Sequence, residues 1–168
     1  MDPRLQPVLA ETNANRALFE SFCRSLTPGE LARDVPEATW AVKDYITHLA
    51  TIDIWVGDWF NHLAAGNVWS PLAEDGGPFN IDDWNEIEVV ARRGNTVDEL
   101  LAEAANHREK LLATWERFSP EVLDAKFKFR GPEITFLHYL ELWATHDPAH
   151  TQDMLRALPN RTPDAKTN

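Results

Sequence analysis

The stretch Trp143-Ala144-Thr145-His146-Asp147-Pro148-Ala149-His150-Thr151-Gln152 decides how the chain is read. It lies late in the last long segment of helical periodicity, where Phe136, Tyr139, Leu140, Trp143, His146, His150, Met154 and Ala157 recur at steps of three and four. Both histidines fall on that apolar stripe and should point inward. Imidazoles four residues apart on a helix stand one above the other, close enough to hold one metal ion between them. Such a pair calls for a third ligand, and an inward-facing histidine occurs far upstream in Tyr45-Ile46-Thr47-His48-Leu49. Taken alone, His48 reads as a satisfied core histidine. His146 and His150 together favour a ligand role, because burying two unpaired imidazoles costs desolvation twice. A structural hydrogen-bonded pair is the alternative.

Around this stretch the chain reads as one folded, all-helical domain. Its 168 residues suffice for one sizeable core, and 43% of them are hydrophobic, with seven tryptophans to bury. Residues 1–160 are expected to form that domain and 161–168 a flexible tail. A net charge of −11, uninterrupted by any basic cluster, makes nucleic acid and anionic membrane poor partners. No run of about 18 apolar residues occurs, and the start Met-Asp-Pro-Arg-Leu-Gln-Pro lacks a signal pattern, so a cytoplasmic protein is expected. The single cysteine, Cys23, follows Phe19 and Phe22 on an apolar face and reads as a buried, inert thiol.

Four long helices can be traced. The first spans about Leu5 to Leu26; Thr12, Asn15 and Arg16 interrupt its stripe and are expected at its solvent edge, the alternative being a polar pocket inside the bundle. Thr27-Pro28-Gly29-Glu30 then signals a fresh, short helix. The second long helix, capped by Thr39, carries Trp40, Tyr45, His48, Ile52, Trp55 and Trp59 and ends near Gly66. A long connection follows from Asn67 to Phe79, in which Trp69 is placed as a lid. Asn80 opens a helical stretch to Val90, and the capping box Thr96-Val97-Asp98-Glu99 starts the third long helix, which runs to Phe118. Ser119-Pro120 repeats the hydroxyl-proline start, Gly131-Pro132 marks a turn, and Thr135-Phe136 opens the fourth. The sequence thus repeats itself weakly: a long helix, a short capped one, then a long helix reaching a histidine. Two such hairpins predict a pseudo-symmetric four-helix bundle. His62 and His107 fall on polar flanks and should be solvated, and His138 should sit at the surface or in a cap.

The spacing of His146 and His150 is that of a zinc-protease helix, but Asp147 stands where the catalytic glutamate would be, and Pro148 should kink the helix between the ligands. The protease reading is rejected. Asp147 is instead a candidate to orient a ligand. Three neutral nitrogens leave a divalent ion its full charge, which favours an anionic fourth partner such as hydroxide or thiolate.

Trp40-Ala-Val-Lys-Asp44-Tyr-Ile-Thr-His48-Leu, Phe79-Asn with Trp84-Asn85, and His146-Asp147-Pro-Ala-His150-Thr-Gln152 together resemble the DinB-like superfamily of four-helix metalloproteins, in element order over nearly the whole chain. The resemblance implies a metal triad of His48, His146 and His150. It also implies a function among thiol-dependent transferases and isomerases, a sulfoxide-synthase accessory domain, or self-resistance proteins that open a reactive warhead. It implies no DNA binding. The resulting expectation is a mononuclear divalent ion, zinc or nickel, that activates a low-molecular-weight thiol or a water against a small electrophilic substrate. Trp55, Tyr139, Trp143 and the Trp69 loop would wall the site, with Asp44 and Asp147 orienting ligands. The rivals are a metal- or small-molecule-sequestering resistance protein without turnover, and a structural helical homodimer whose histidines hold nothing.

Overall fold

The computed structural model describes residues 1–65, 80–128 and 131–161. Four long helical elements form the bundle: α1 (Leu5–Arg24), α3 (Val42–Ala64), α5 (Val97–Trp115), and a broken fourth made of α7 (Phe136–Ala144) and α8 (His146–Leu155). Short helices α2 (Pro28–Leu31), α4 (Ile81–Ala91) and α6 (Pro120–Asp124) fill the connections. Local chemistry sets the starts of most of them. Thr27 with Glu30 and Thr96 with Glu99 close reciprocal capping boxes, while Asn80, Ser119 and Thr135 each accept one backbone N–H at the head of α4, α6 and α7. The second long helix begins later than Thr39. Asp34 and Ala41 form an isolated bridge, Glu37 turns the chain with a left-handed backbone (φ 61°), and Asp44 folds back to accept the Ala41 N–H at 3.1 Å.

Helix directions follow from the pairs that touch. Along α3 and α5, Ala50 meets His107, Asp53 meets Arg108 and Gly57 meets Leu111, so the two run parallel. Along α3 and the fourth element, Tyr45 meets His150 and Phe60 meets Phe136, so these run antiparallel. Parallel neighbours cannot be joined by a tight turn, which is why the connection between α3 and α5 is long. The two repeated units are therefore interleaved rather than side by side: α3 of the first packs along α5 of the second, and α1 packs along α5, α7 and α8. One end of the core is aromatic, with Trp59, Phe60, Phe118, Phe127, Phe136 and Tyr139 in edge-to-face contact and Trp115 tilted against Phe60. The other end holds the histidines.

Two features were not expected. A small antiparallel hairpin, β1 (Lys126–Lys128) with β2 (Glu133–Thr135), precedes α7 and lays Phe127 against Trp59. The fourth helix breaks at Thr145, ahead of His146, and not between the ligands. Pro148 thereby falls in the first turn of α8, where a missing N–H is harmless to its own helix. It does deprive the Ala144 carbonyl of the partner a continuous helix would give it, and the buried Asn15 amide donates to that carbonyl at 2.9 Å instead.

Cys23 is buried, and burial pushes its thiol well above the ordinary range, as an inert core residue requires. Arg161, where the tail was expected to begin, is fixed to Glu30 at 2.6 Å. Trp69 and Phe79 lie outside the described residues. No described helix is long and apolar enough to cross a membrane.

Candidate metal centre

His48, on the core face of α3, meets His146 and His150, on the first two turns of α8, so that one ligand atom from each lies within 4.8 Å of the others. Ring centroids stand 5.4 Å apart for His48 and His146, 4.9 Å for His48 and His150, and 4.5 Å for His146 and His150. The Nε2 atoms of His146 and His150 are 3.2 Å apart. Two nitrogens bound to one tetrahedral zinc, each at roughly 2.0–2.1 Å, stand about 3.3 Å apart, so this pair has the spacing of co-ligands. His150 donates Nδ1–H to Asp153 at 3.1 Å, which turns its Nε2 lone pair toward the cluster. His146 is held by stacking on Trp143, with centroids 4.4 Å apart and planes 12° from parallel.

All three rings are kept neutral. Burial, then the charge of His150, drives His48 down to about 3, with neighbouring Asn85 tempering the shift. Burial likewise takes His146 well below its ordinary value and lowers His150, although Asp153 works the other way. A neutral imidazole is the form that ligates a cation, so the site needs no proton removed before use near pH 7.

Aromatic rings line the surroundings. Trp40 covers His48 at 5.2 Å and Tyr45 at 5.3 Å, Tyr45 lies 5.4 Å from His150, and Tyr139 stacks on Trp143 at 6.4 Å. Trp55 lies two turns beyond His48 on α3 and packs on Trp59 at 5.6 Å. Trp143 therefore touches the cluster, Tyr139 touches it through Trp143, and Trp55 leads from it toward the aromatic end of the core.

Asp44 and Asp147 are hydrogen-bonded to groups other than the three imidazoles. Asp44 caps α3. Asp147 is 2% exposed and belongs to a buried charge quartet next to the histidines, with one member on each long element: Arg16 on α1, Asp53 on α3, Arg108 on α5 and Asp147 on α8. Arg108 Nε donates to Asp53 at 2.6 Å and its Nη2 to Asp147 at 3.2 Å. Arg16 reaches the Asp147 carboxylate at 2.9 Å through Nε and 3.1 Å through Nη2, with Asp53 at 3.7 Å. Two cations and two anions cancel, which is how charges survive in an apolar core. Burial opposes the Arg108 charge, but Asp53 and Asp147 outweigh it and raise the pKa; for Arg16 burial and the charge of Arg108 prevail and lower it. Thr12, Asn15 and Arg16 are thus interior, contrary to the solvent edge expected for them.

The remaining histidines divide. His62 and His138 are exposed as expected, His138 accepting or donating to Glu141 at 3.0 Å. His107 is not solvated: half-buried, it donates Nδ1–H to the Ala50 carbonyl at 2.8 Å and ties α5 to α3. Asp153 was missed in the sequence, although a carboxylate three residues beyond a helical histidine is within its reach.

The DinB superfamily profile matches residues 11–154. The chain belongs to the DinB superfamily. Its fold is similar to that of the crystal structure of a mycothiol-dependent maleylpyruvate isomerase, at a TM-score of 0.67 and 12% sequence identity. That likeness covers 92% of this chain and 63% of the other, so this DinB member spans less than two thirds of its structural neighbour. No curated protein matches its sequence.

Proposed function

We propose that this DinB protein is a metal-dependent enzyme in which His48, His146 and His150 hold one divalent ion, zinc or nickel, for the attack of a low-molecular-weight thiol or a water on a small electrophile. The observation that carries this reading is the convergence of three neutral imidazoles from two helices, His48 buried and His146 and His150 half-buried, with ligand atoms within 4.8 Å of one another. Buried polar nitrogens so placed have a physical use as a cation site and a desolvation cost otherwise. When bound, a divalent ion supplies a Lewis-acidic centre that lowers the pKa of a thiol or water to near neutrality.

The chain's own residues do the rest. Asp153 fixes the His150 tautomer, and Trp143 fixes the plane of His146. Trp40, Tyr45 and Trp143 exclude water around the rings and offer apolar walls, which suit an uncharged, flat electrophile better than a multiply charged one. No carboxylate belongs to the triad, so the three imidazoles would leave a dication its full charge, which favours an anionic fourth partner. A cytoplasmic setting, where low-molecular-weight thiols stay reduced, fits this chemistry. The structural neighbour is named for its dependence on mycothiol, which makes thiols the first class to try.

Elemental analysis of untagged protein beside His146→Ala tests the site. One metal per chain, absent from the variant, is expected, followed by turnover when thiols are screened against electrophiles. Bound metal without turnover of any thiol or water reaction leaves the sequestering resistance protein as the reading. No metal after reconstitution with zinc or nickel sinks both.

A further inference from the structure

We propose that Arg108, which belongs to neither ligand-bearing helix, is the positioning residue that sets the distance between His48 and His146. The proposal rests on the metal reading of the triad for its functional meaning, and on the charge quartet for its geometry.

The triad is split between two helices that run antiparallel, and nothing covalent fixes their separation. His146 is followed at once by Asp147, whose short side chain moves with the backbone that carries the ligand. His48 lies five residues before Asp53 on α3. One guanidinium joins these two carboxylates: Nε of Arg108 donates to Asp53 at 2.6 Å, and its Nη2 donates to Asp147 at 3.2 Å. Guanidinium is planar and rigid, so its two donors hold both acceptors in a fixed fork, a constraint that a single ammonium does not impose. Arg108 itself is 4% exposed and is anchored on α5, whose His107 is bonded to the α3 backbone at Ala50. The fork is therefore a gauge between α3 and α8 read from a rigid third helix. Arg16 also reaches Asp147, but its approach to Asp53 is 3.7 Å, so the tight link between the two ligand helices runs through Arg108.

Removing Arg108 alone would leave one buried guanidinium facing two buried carboxylates, with Asp53 reached only by Arg16 at 3.7 Å, and loss of folding would then mask any effect on position. The informative variant removes the pair. Arg108→Met with Asp53→Leu keeps the core volume, leaves Arg16 and Asp147 as a balanced ion pair, and is expected to fold because exchanging a buried ion pair for apolar side chains is often neutral or stabilising. Arg108→Lys is its companion: it keeps the charge without the fork.

Zinc affinity by chelator competition and the visible spectrum of the cobalt-substituted protein are the readouts. In the double variant zinc affinity is expected to fall roughly 10–100-fold and the cobalt bands to shift, as for other groups that orient ligands from outside the site. Arg108→Lys should fall between the variant and the wild type. A folded double variant with wild-type zinc affinity and cobalt bands overturns the proposal. Long-range proton–nitrogen spectra of metal-free protein decide it independently: the imidazole signals of His48 and His146 should move in the double variant while those of exposed His62 and His138 stay. Unmoved signals for all four overturn it even if no metal is ever bound, whereas a failure of wild-type protein to bind zinc or cobalt overturns the metal reading alone.

Discussion

Two polar clusters share the core of this DinB bundle and are built on opposite terms. The quartet of Arg16, Asp53, Arg108 and Asp147 is charged, balanced and joined across all four long elements. The triad of His48, His146 and His150 is neutral and comes from two elements; Asn85 bonds to His48, Asp153 to His150, and His146 and His150 approach to 3.2 Å. Charge balance within the chain distinguishes the two clusters: the quartet meets each charge with an opposite one, whereas the triad gathers ligand atoms of one kind with no counter-charge among them and gains from a cation.

The contrast can be broken most sharply at Asp147. Asp147→Leu leaves two buried guanidiniums facing one carboxylate, and urea unfolding should show a loss of about 3–5 kcal/mol. His146→Leu in metal-free protein should cost less than about 1.5 kcal/mol, since a neutral ring is exchanged for an apolar side chain of similar bulk. An equal loss from both variants would erase the distinction.

Zinc sharpens it from the other side. At a hundredfold excess over its dissociation constant, zinc should stabilise the wild type by about 2.7 kcal/mol in the same unfolding experiment and leave His146→Leu unmoved. Acid offers a third measurement. Unfolded histidines take up a proton near 6.5, while burial holds the folded His48 neutral down to about 3 and His146 to well below 6.5. Below pH 6.5 the unfolded state therefore binds more protons, and metal-free stability should fall with pH by about 1.4 kcal/mol per unit for each such ring, levelling off only at the folded pKa. Above pH 6.5 the rings contribute no slope. A double variant His48→Leu/His146→Leu should lose that slope between pH 6.5 and 5, and a retained slope would assign it elsewhere. A modest effect belongs to the helix break: Asn15→Leu strips the Ala144 carbonyl of its donor and should cost about 1–2 kcal/mol, checked by urea unfolding with zinc affinity followed in parallel.

Much of this is legible in the sequence. The histidines sit in apolar stripes at helical spacing, the capping boxes at Thr27 and Thr96 form as their residues dictate, and a long connection was required before α5. What escaped was non-local. Arg16 breaks an apolar stripe, and a guanidinium reads as an edge residue unless its partners are known; Asp147 is 131 residues away. The usable signal was collective, since Asp53 and Arg108 interrupt two other stripes in the same way. Pro148 announced a disturbance but not its position, because the answer lay in Asn15 on another helix. His107 looked solvated from its polar neighbours, and only the parallel packing of α3 supplied its carbonyl acceptor.

The placement of Asp147 on the last helix also bears on how the protein is made. During synthesis Arg16, Asp53 and Arg108 leave the ribosome first, and without Asp147 they amount to two cations against one anion at the centre of the bundle. A chain that stops short of α8 cannot close its core without stranding a charge. Docking of α8 supplies both the missing anion and two of the three imidazoles in one event, which joins Asp147 to Arg108 and to Arg16, 39 and 131 residues earlier in the chain, at an entropic cost of loop closure. Closing the core and completing the site are therefore one step, and a chain lacking α8 is expected to leave apolar surface exposed rather than to fold around an empty site.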